Sequence, residues 1–447
     1  MKRTDRGTVT TLALTIAAAL TLSACQGNAT MTPSQPLTTT GATASTPAPP
    51  PHFGTEVLVG GIGRGAESAS SPDVAKDAIA AGVLKDRRTV LGTGAKGNST
   101  YATTVMDDGT VVGGQSGSKP QATLDDTIAQ TAVGVIDASG AFTPFPAASD
   151  SELEAKGVDP SVARQSMSFD SRGRIVAWSE TSSTSVGADN WVIFAHDLDT
   201  GTTRVLGASN ELVPDGHLPG MGPDAAPSIG TSRVFWGTTY PLDANDPAGA
   251  AGYEVLAAPL DGTSPAAVIA RGALMPAADG DCVAFARGWG ADASLPQGEI
   301  RIARVCGKGP EEPLVRLNIG ADGGIGQLVA DGGRVAWSSV AKDGSREGDR
   351  RVTVLDIATG ALAAVNLSAT AETATQPVTD MSLRGNLLQW TTNNSHFVLD
   401  LSDNSLWSLP ASEGYYGVYA ADGWVGWEVA SADPAAPASV TVARWGR

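Results

Sequence analysis

From about residue 100 onward, apolar and polar positions alternate in short runs, each broken by Gly together with Asp, Asn or Ser. A period of two punctuated by such turns predicts β-strands joined as hairpins, with few helices among them. One phrase returns seven times: a strand, an Asp-Gly-like turn, then a second strand ending near an aromatic. It reads Met106-Asp-Asp-Gly-Thr-Val-Val112, Asp170-Ser-Arg-Gly-Arg-Ile-Val-Ala-Trp178, Gly230-Thr-Ser-Arg-Val-Phe-Trp236 and Ala278-Asp-Gly-Asp-Cys-Val-Ala-Phe285. Ala330-Asp-Gly-Gly-Arg-Val-Ala-Trp337, Leu383-Arg-Gly-Asn-Leu-Leu-Gln-Trp390 and Ala421-Asp-Gly-Trp-Val-Gly-Trp427 complete the set. Self-similarity at roughly 40–50 residues with four strands per unit predicts an all-β chain folded as a β-propeller.

Third strands and their turns follow each aromatic, as in Val192-Ile-Phe-Ala-His-Asp-Leu-Asp-Thr-Gly201 and Val352-Thr-Val-Leu-Asp-Ile-Ala-Thr-Gly360. Fourth strands include Thr203-Arg-Val-Leu206 and Ser405-Leu-Trp-Ser-Leu409. The last unit stops after three, at Ser439-Val-Thr-Val-Ala-Arg444. Arg87-Arg-Thr-Val-Leu91 echoes a fourth strand and is expected to complete it, giving seven four-stranded blades. Closing a ring in this way removes exposed sheet edges. Ser71 to Asp86 is expected to be a short helix, and Phe53 to Ile62 an extra strand without an assigned place, with a further partial blade as the alternative. The repeated aromatics Trp178, Trp236, Phe285, Trp337, Trp390 and Trp427 occupy one equivalent position, so packing between blades explains them better than a sugar platform.

The N-terminus changes the picture of where the domain works. Lys2, Arg3 and Arg6 precede an apolar stretch, Leu12 to Leu22, too short to span a bilayer. Leu22-Ser23-Ala24-Cys25 then resembles the lipobox of bacterial lipoproteins. The resemblance implies a signal peptide over 1–24 and a diacylglycerol on Cys25, the new N-terminus, on the extracytoplasmic face of a membrane. Residues 25–51 are rich in Thr, Ser, Pro and Ala and are expected to form a solvated stalk, with the propeller over 52–447. Removing residues 1–24 takes the formal charge from −17 to −19, which argues against nucleic acid as a partner. Cys282 and Cys306 open and close neighbouring strands of one unit, so antiparallel pairing predicts a disulfide.

Candidate chemistry is sparse. In a propeller the first-to-second and third-to-fourth turns share one face, and here they are short. The longer connections lie on the other face, where binding residues usually sit. Its candidates are Asp189, Trp191, His217, Asp224, Tyr240, Asp243, Asp246, Arg287 and Trp289. The four His residues are His52, His196, His217 and His396, and no H-E-x-x-H, G-x-S-x-G or Cys–His arrangement accompanies them. Asp243-Ala-Asn-Asp246 offers oxygens, but Pro247 follows where a calcium loop needs other residues. No cofactor is expected, with Ca²⁺ in the channel as the alternative.

The blade pattern over roughly residues 87–447 resembles the TolB-type and WD-like propellers of bacterial envelopes. That likeness implies a platform that docks an envelope protein or cell-wall glycan and performs no chemistry. A secreted lactonase or glycan-cleaving hydrolase, using a channel metal or carboxylate pair, is the competing expectation.

Overall fold

The structure is a computed structural model. It describes residues 53–446 except 62–63, 66–71, 74–75, 82–83, 92–99, 117–130, 183–189, 214–215, 217, 219–225, 244–245, 247–249, 289–293, 368–377, 379, 393–394, 410–418 and 430–438. The expected signal peptide, Cys25 and stalk therefore lie outside the described residues.

The chain is an all-β propeller. Blade 1 is Thr100–Val105, Val111–Ser116, Thr131–Ile136 and Phe142–Pro144, and blade 2 is Gln165–Arg172, Ile175–Thr181, Trp191–Asp197 and Thr202–Ala208. Blade 3 is Ser228–Ile229, Arg233–Pro241, Ala251–Pro259 and Ala267–Arg271; blade 4 is Ala273–Asp279, Cys282–Gly288, Glu299–Cys306 and Glu312–Asn318. Blade 5 comprises Gly324–Asp331, Arg334–Asp343, Arg346–Asp356 and Ala361–Asn366, and blade 6 Asp380–Arg384, Leu387–Thr392, Ser395–Asp400 and Ser405–Ser408. A three-stranded sheet of Trp424–Val429, Ser439–Arg444 and Lys85–Leu91 closes the ring.

The expectation of seven four-stranded blades is thus corrected to six. The strand that would complete the closing sheet, Tyr419–Ala420, runs parallel beside Thr104 and Val105 of blade 1 instead. A two-residue strand has few ladder groups to offer, and Ala421 spends its amide on the Val105 carbonyl at 2.9 Å. Lys85–Leu91 pairs antiparallel with Ser439–Arg444, with Val90 opposite Val440.

The N-terminal segment does not form the expected helix over Ser71–Asp86. It is a strap laid along the outer edges of consecutive blades. Gly54–Val57 adds antiparallel to Glu312–Asn318 of blade 4, which places the unassigned strand. The Pro72 carbonyl then accepts from the Asn366 amide of blade 5 at 2.8 Å. Ile79–Ala80 adds parallel to Trp407–Ser408 of blade 6, and the closing strand follows. A short isolated helix is marginal in water. Open sheet edges, by contrast, present rows of unpaired donors and acceptors, and here they win the segment.

Packing energy sits in the seams, and there is no single central core. Seven apolar clusters are each built from two neighbouring sheets. Trp236, Phe285, Trp337 and Trp390 are fully buried at the repeated position, with Trp427 and Trp178 nearly so. This assigns the aromatic row to packing and removes it as a sugar platform. A ring of seams grows by adding blades, so a chain of this length needs no larger core.

A second device recurs at every seam. Thr104 and Ser171 hydroxyls meet at 2.9 Å, and Asp170 Oδ2 accepts from the Ile229 amide at 2.7 Å. Ser228 Oγ accepts from the Ala278 amide, Asp279 Oδ2 from Gly333 at 2.8 Å and Asp331 Oδ2 from Gly385 at 2.7 Å. Gln389 Nε2 donates to the Gly426 carbonyl and Trp424 Nε1 to that of Asp107. Gly385 shows why the turns need glycine: its φ is 54°, and a Cβ there would lie 2.1 Å from the Asp422 carboxylate.

Cys282 and Cys306 stand directly opposite one another in blade 4 and form the expected disulfide. They are 24 residues apart in sequence. On the chain-entropy estimate, replacing both with Ala lowers stability by about 3.5 kcal/mol, read as a lower denaturant midpoint. An unchanged midpoint would show that the crosslink constrains nothing the ladder does not already fix.

Candidate functional site

Strand direction sorts the ring into two faces. The first-to-second and third-to-fourth turns form a short-turn face, where the blades look alike. At the other end of the second strands they diverge. Two residues beyond the repeated aromatic stand Glu180, Thr238, Arg287, Ser339 and Thr392. Shared architecture at one face and varied chemistry at the other is the pattern of a scaffold carrying a site.

Among the described residues, the most developed cluster on the loop face belongs to blade 3. Tyr240 lies opposite Gly252, whose missing side chain makes room for the ring; a Cβ there would come within 2.5 Å of it. The Arg271 guanidinium covers the Tyr240 ring at 4.7 Å from its centroid. Glu254, only 2 % exposed, faces Arg271 with Oε2 3.4 Å from Nε. Burial pushes the Glu254 carboxyl above its ordinary range, opposed by the Arg271 charge. Leu242, two residues past Tyr240, is 60 % exposed. An aromatic, an arginine held from behind and an exposed leucine make up a surface of the kind that anchors partners.

Among the described residues, Glu180 of blade 2 is the other carboxyl pushed upward. Burial raises it, opposed by the Trp178 Nε1–H that donates to its Oε1 at 2.9 Å and by the Arg164 charge. Acids pushed upward by burial cost stability when ionised, and such groups concentrate at functional sites.

The remaining expected residues divide. Trp191 is a correction: it is buried, donates from Nε1 to Thr238 Oγ1 at 2.9 Å and packs edge-on against Trp236. It begins a strand just beyond a long loop, so the loop boundary misplaced it. Arg287 forms a two-point ion pair with Glu311 and also donates to the Arg271 carbonyl, which makes it a clasp between blades 3 and 4. Asp243 and Asp246 share a turn, the Asp246 amide donating to the Asp243 carbonyl at 3.1 Å. Asp189, His217, Asp224 and Trp289 lie outside the described residues. Among the described residues, no three His, Cys, Asp or Glu side chains are placed to hold a metal ion.

His196 and His396 are internal supports. His196 stacks on Phe145 at 4.0 Å and pairs with Thr203 Oγ1 at 2.9 Å. His396 is fully buried, meets Thr391 Oγ1 at 2.8 Å and is pushed down by burial to about 4. The unfolded chain, with an ordinary imidazole near 6.5, takes up a proton that the fold refuses. Stability therefore falls as pH drops from about 6.5 to about 4, by up to roughly 3 kcal/mol for this residue. His396→Gln is expected to flatten that part of a midpoint-against-pH curve; an unchanged slope would contradict the assignment.

Sequence reasoning missed the charged residues at the channel's short-turn mouth: Asp170, Arg172, Asp331 and Arg384. Arg172 Nη2 donates to Asp331 Oδ1 at 2.7 Å, and Arg384 Nη2 donates to Asp170 Oδ1. The signal available was an Asp or Arg repeatedly placed at the end of the first strand, which reads locally as turn chemistry.

No family model matches the chain, and no curated protein matches it. Solved structures bear a distant likeness to it. An oligogalacturonate lyase in complex with manganese is 11 % identical with a TM-score of 0.44, covering 82 % of this chain and 99 % of its own. The arabinofuranosidase of Fusarium graminearum is 11 % identical at 0.36, covering 81 % and 98 %. The β-propeller domain of the Trilobed protease from Pyrococcus furiosus is 10 % identical at 0.29, covering 69 % and 95 %. The chain is a β-propeller. These likenesses are of fold alone and bring no activity with them.

Proposed function

We propose that the protein is a lipoprotein anchored through Cys25, whose propeller serves as a binding platform for an envelope protein or cell-wall glycan. Tyr240, Leu242 and Arg271 on the loop face form its contact patch. The observation that carries this reading is the Arg271 guanidinium poised over Tyr240 and backed by buried Glu254. Holding a guanidinium in place before binding reduces the ordering cost of association.

The test is retention of the full chain on isolated envelope and cell-wall fractions. Leu242→Asp and Tyr240→Ala are expected to weaken retention at least tenfold, the scale of an anchor residue. Arg174→Glu on the short-turn face should leave it unchanged. Equal loss from both faces, or none, would sink the patch. The competing hydrolase reading draws on Asp170 and Asp331, both at the short-turn mouth, although an arginine ties up each of them. A melting temperature lowered by EDTA and restored by Ca²⁺ would bring that reading forward.

A further inference from the structure

The ring order runs through blades 1 to 6 and the closing sheet, so blade 2 stands across the channel from blades 5 and 6. Both ion pairs at the short-turn mouth make that crossing. Arg172 of blade 2 reaches Asp331 of blade 5, 159 residues away, and Arg384 of blade 6 reaches Asp170 of blade 2, 214 residues away. Arg384 Nη2 also lies 3.4 Å from the Ser171 carbonyl. Each carboxylate has a second duty: Asp170 Oδ2 holds the Ile229 amide of blade 3, and Asp331 Oδ2 holds the Gly385 amide of blade 6. Blades 2, 3, 5 and 6 are thereby joined in one charged circuit. Side-chain exposure of the four residues is between 14 % and 26 %, so the pairs are partly shielded from water.

We infer that these four residues brace the ring across its channel at the short-turn mouth. A tie of this kind holds opposite inner strands within the combined reach of one arginine and one aspartate. Charge-assisted, two-ended hydrogen bonds are the strong class, and removing one partner strands the other. The inference is compatible with the loop-face reading but does not need it, because its test uses no ligand.

Hydrogen exchange of the full chain reads the brace directly. Arg384→Ala is expected to speed exchange of the Ile229 amide by about tenfold, the effect of losing a charged hydrogen bond. That amide belongs to blade 3, on the far side of the channel. The Leu387–Thr392 and Ser395–Asp400 hairpin, in the blade that carries the substitution, should keep its protection. Acceleration confined to blade 6, or none at Ile229, would overturn the brace. Should Arg384→Ala not fold, Arg384→Lys keeps the charge and loses the fork, and an intermediate acceleration at Ile229 is the expected result. In denaturant midpoints, Asp170→Ala with Arg384→Ala should lose little more than the worse single variant, and strict additivity would contradict the pairing.

Discussion

Deleting residues 53–91 is expected to abolish cooperative folding to a monomer. The deletion leaves the closing sheet with two strands, Trp424–Val429 and Ser439–Arg444, and an isolated two-stranded ribbon is at best marginal in water. The outer strands of blades 4 and 6 lose their covering strands in the same stroke. Open edges pair with other chains, so the product should run as oligomers and bind a hydrophobic dye. Size-exclusion chromatography and a thermal melt would show it. A monomer that melts as sharply as the intact chain would mean that the ring closes without its N-terminal strand.

Trp337→Ala should cost about 3–5 kcal/mol, the range for emptying a large aromatic site in a core. Trp337 is fully buried at the seam of blades 4 and 5, among Ile302, Leu317, Leu328 and Leu355. Those neighbours belong to two sheets held by their own ladders, which limits how far they can collapse into the void. The loss should appear as a lower denaturant midpoint with little change in slope. Trp191→Ala is the instructive comparison. If Trp191 were a binding residue, its removal would spare stability; as a buried partner of Trp236 it should lower the midpoint in the same way. A cost under 1 kcal/mol at Trp337 would show that the repeated aromatics are not the seams' main support.

What could be read in the sequence and what could not divide along the range of the interactions. The repeats, the aromatic position and the Cys282–Cys306 pair follow from strand period and turn spacing, which are local. The closing role of Arg87–Leu91 followed from resemblance to Thr203–Leu206, another local signal. The strap failed to show because residues 71–86 have helical spacing in isolation, and only the unfilled edges of blades 5 and 6 decide otherwise. Tyr240 and Arg287 were visible as loop-end residues, but their partners Arg271 and Glu311 were not, since each comes from a different strand. Asp170, Arg172, Asp331 and Arg384 each look like turn residues. Their pairing appears only when the ring brings distant blades face to face.

On the proposed reading the loop face, and not the short-turn face, carries function. A photoreactive amino acid placed singly on intact cells at Leu242, and at Ser232 or Ala358 on the opposite face, tests it most directly. One discrete crosslinked species is expected from Leu242, lost when Tyr240 is also replaced by Ala, and none from the short-turn positions. Crosslinks that arise equally from both faces, or from Ser232 alone, would contradict it.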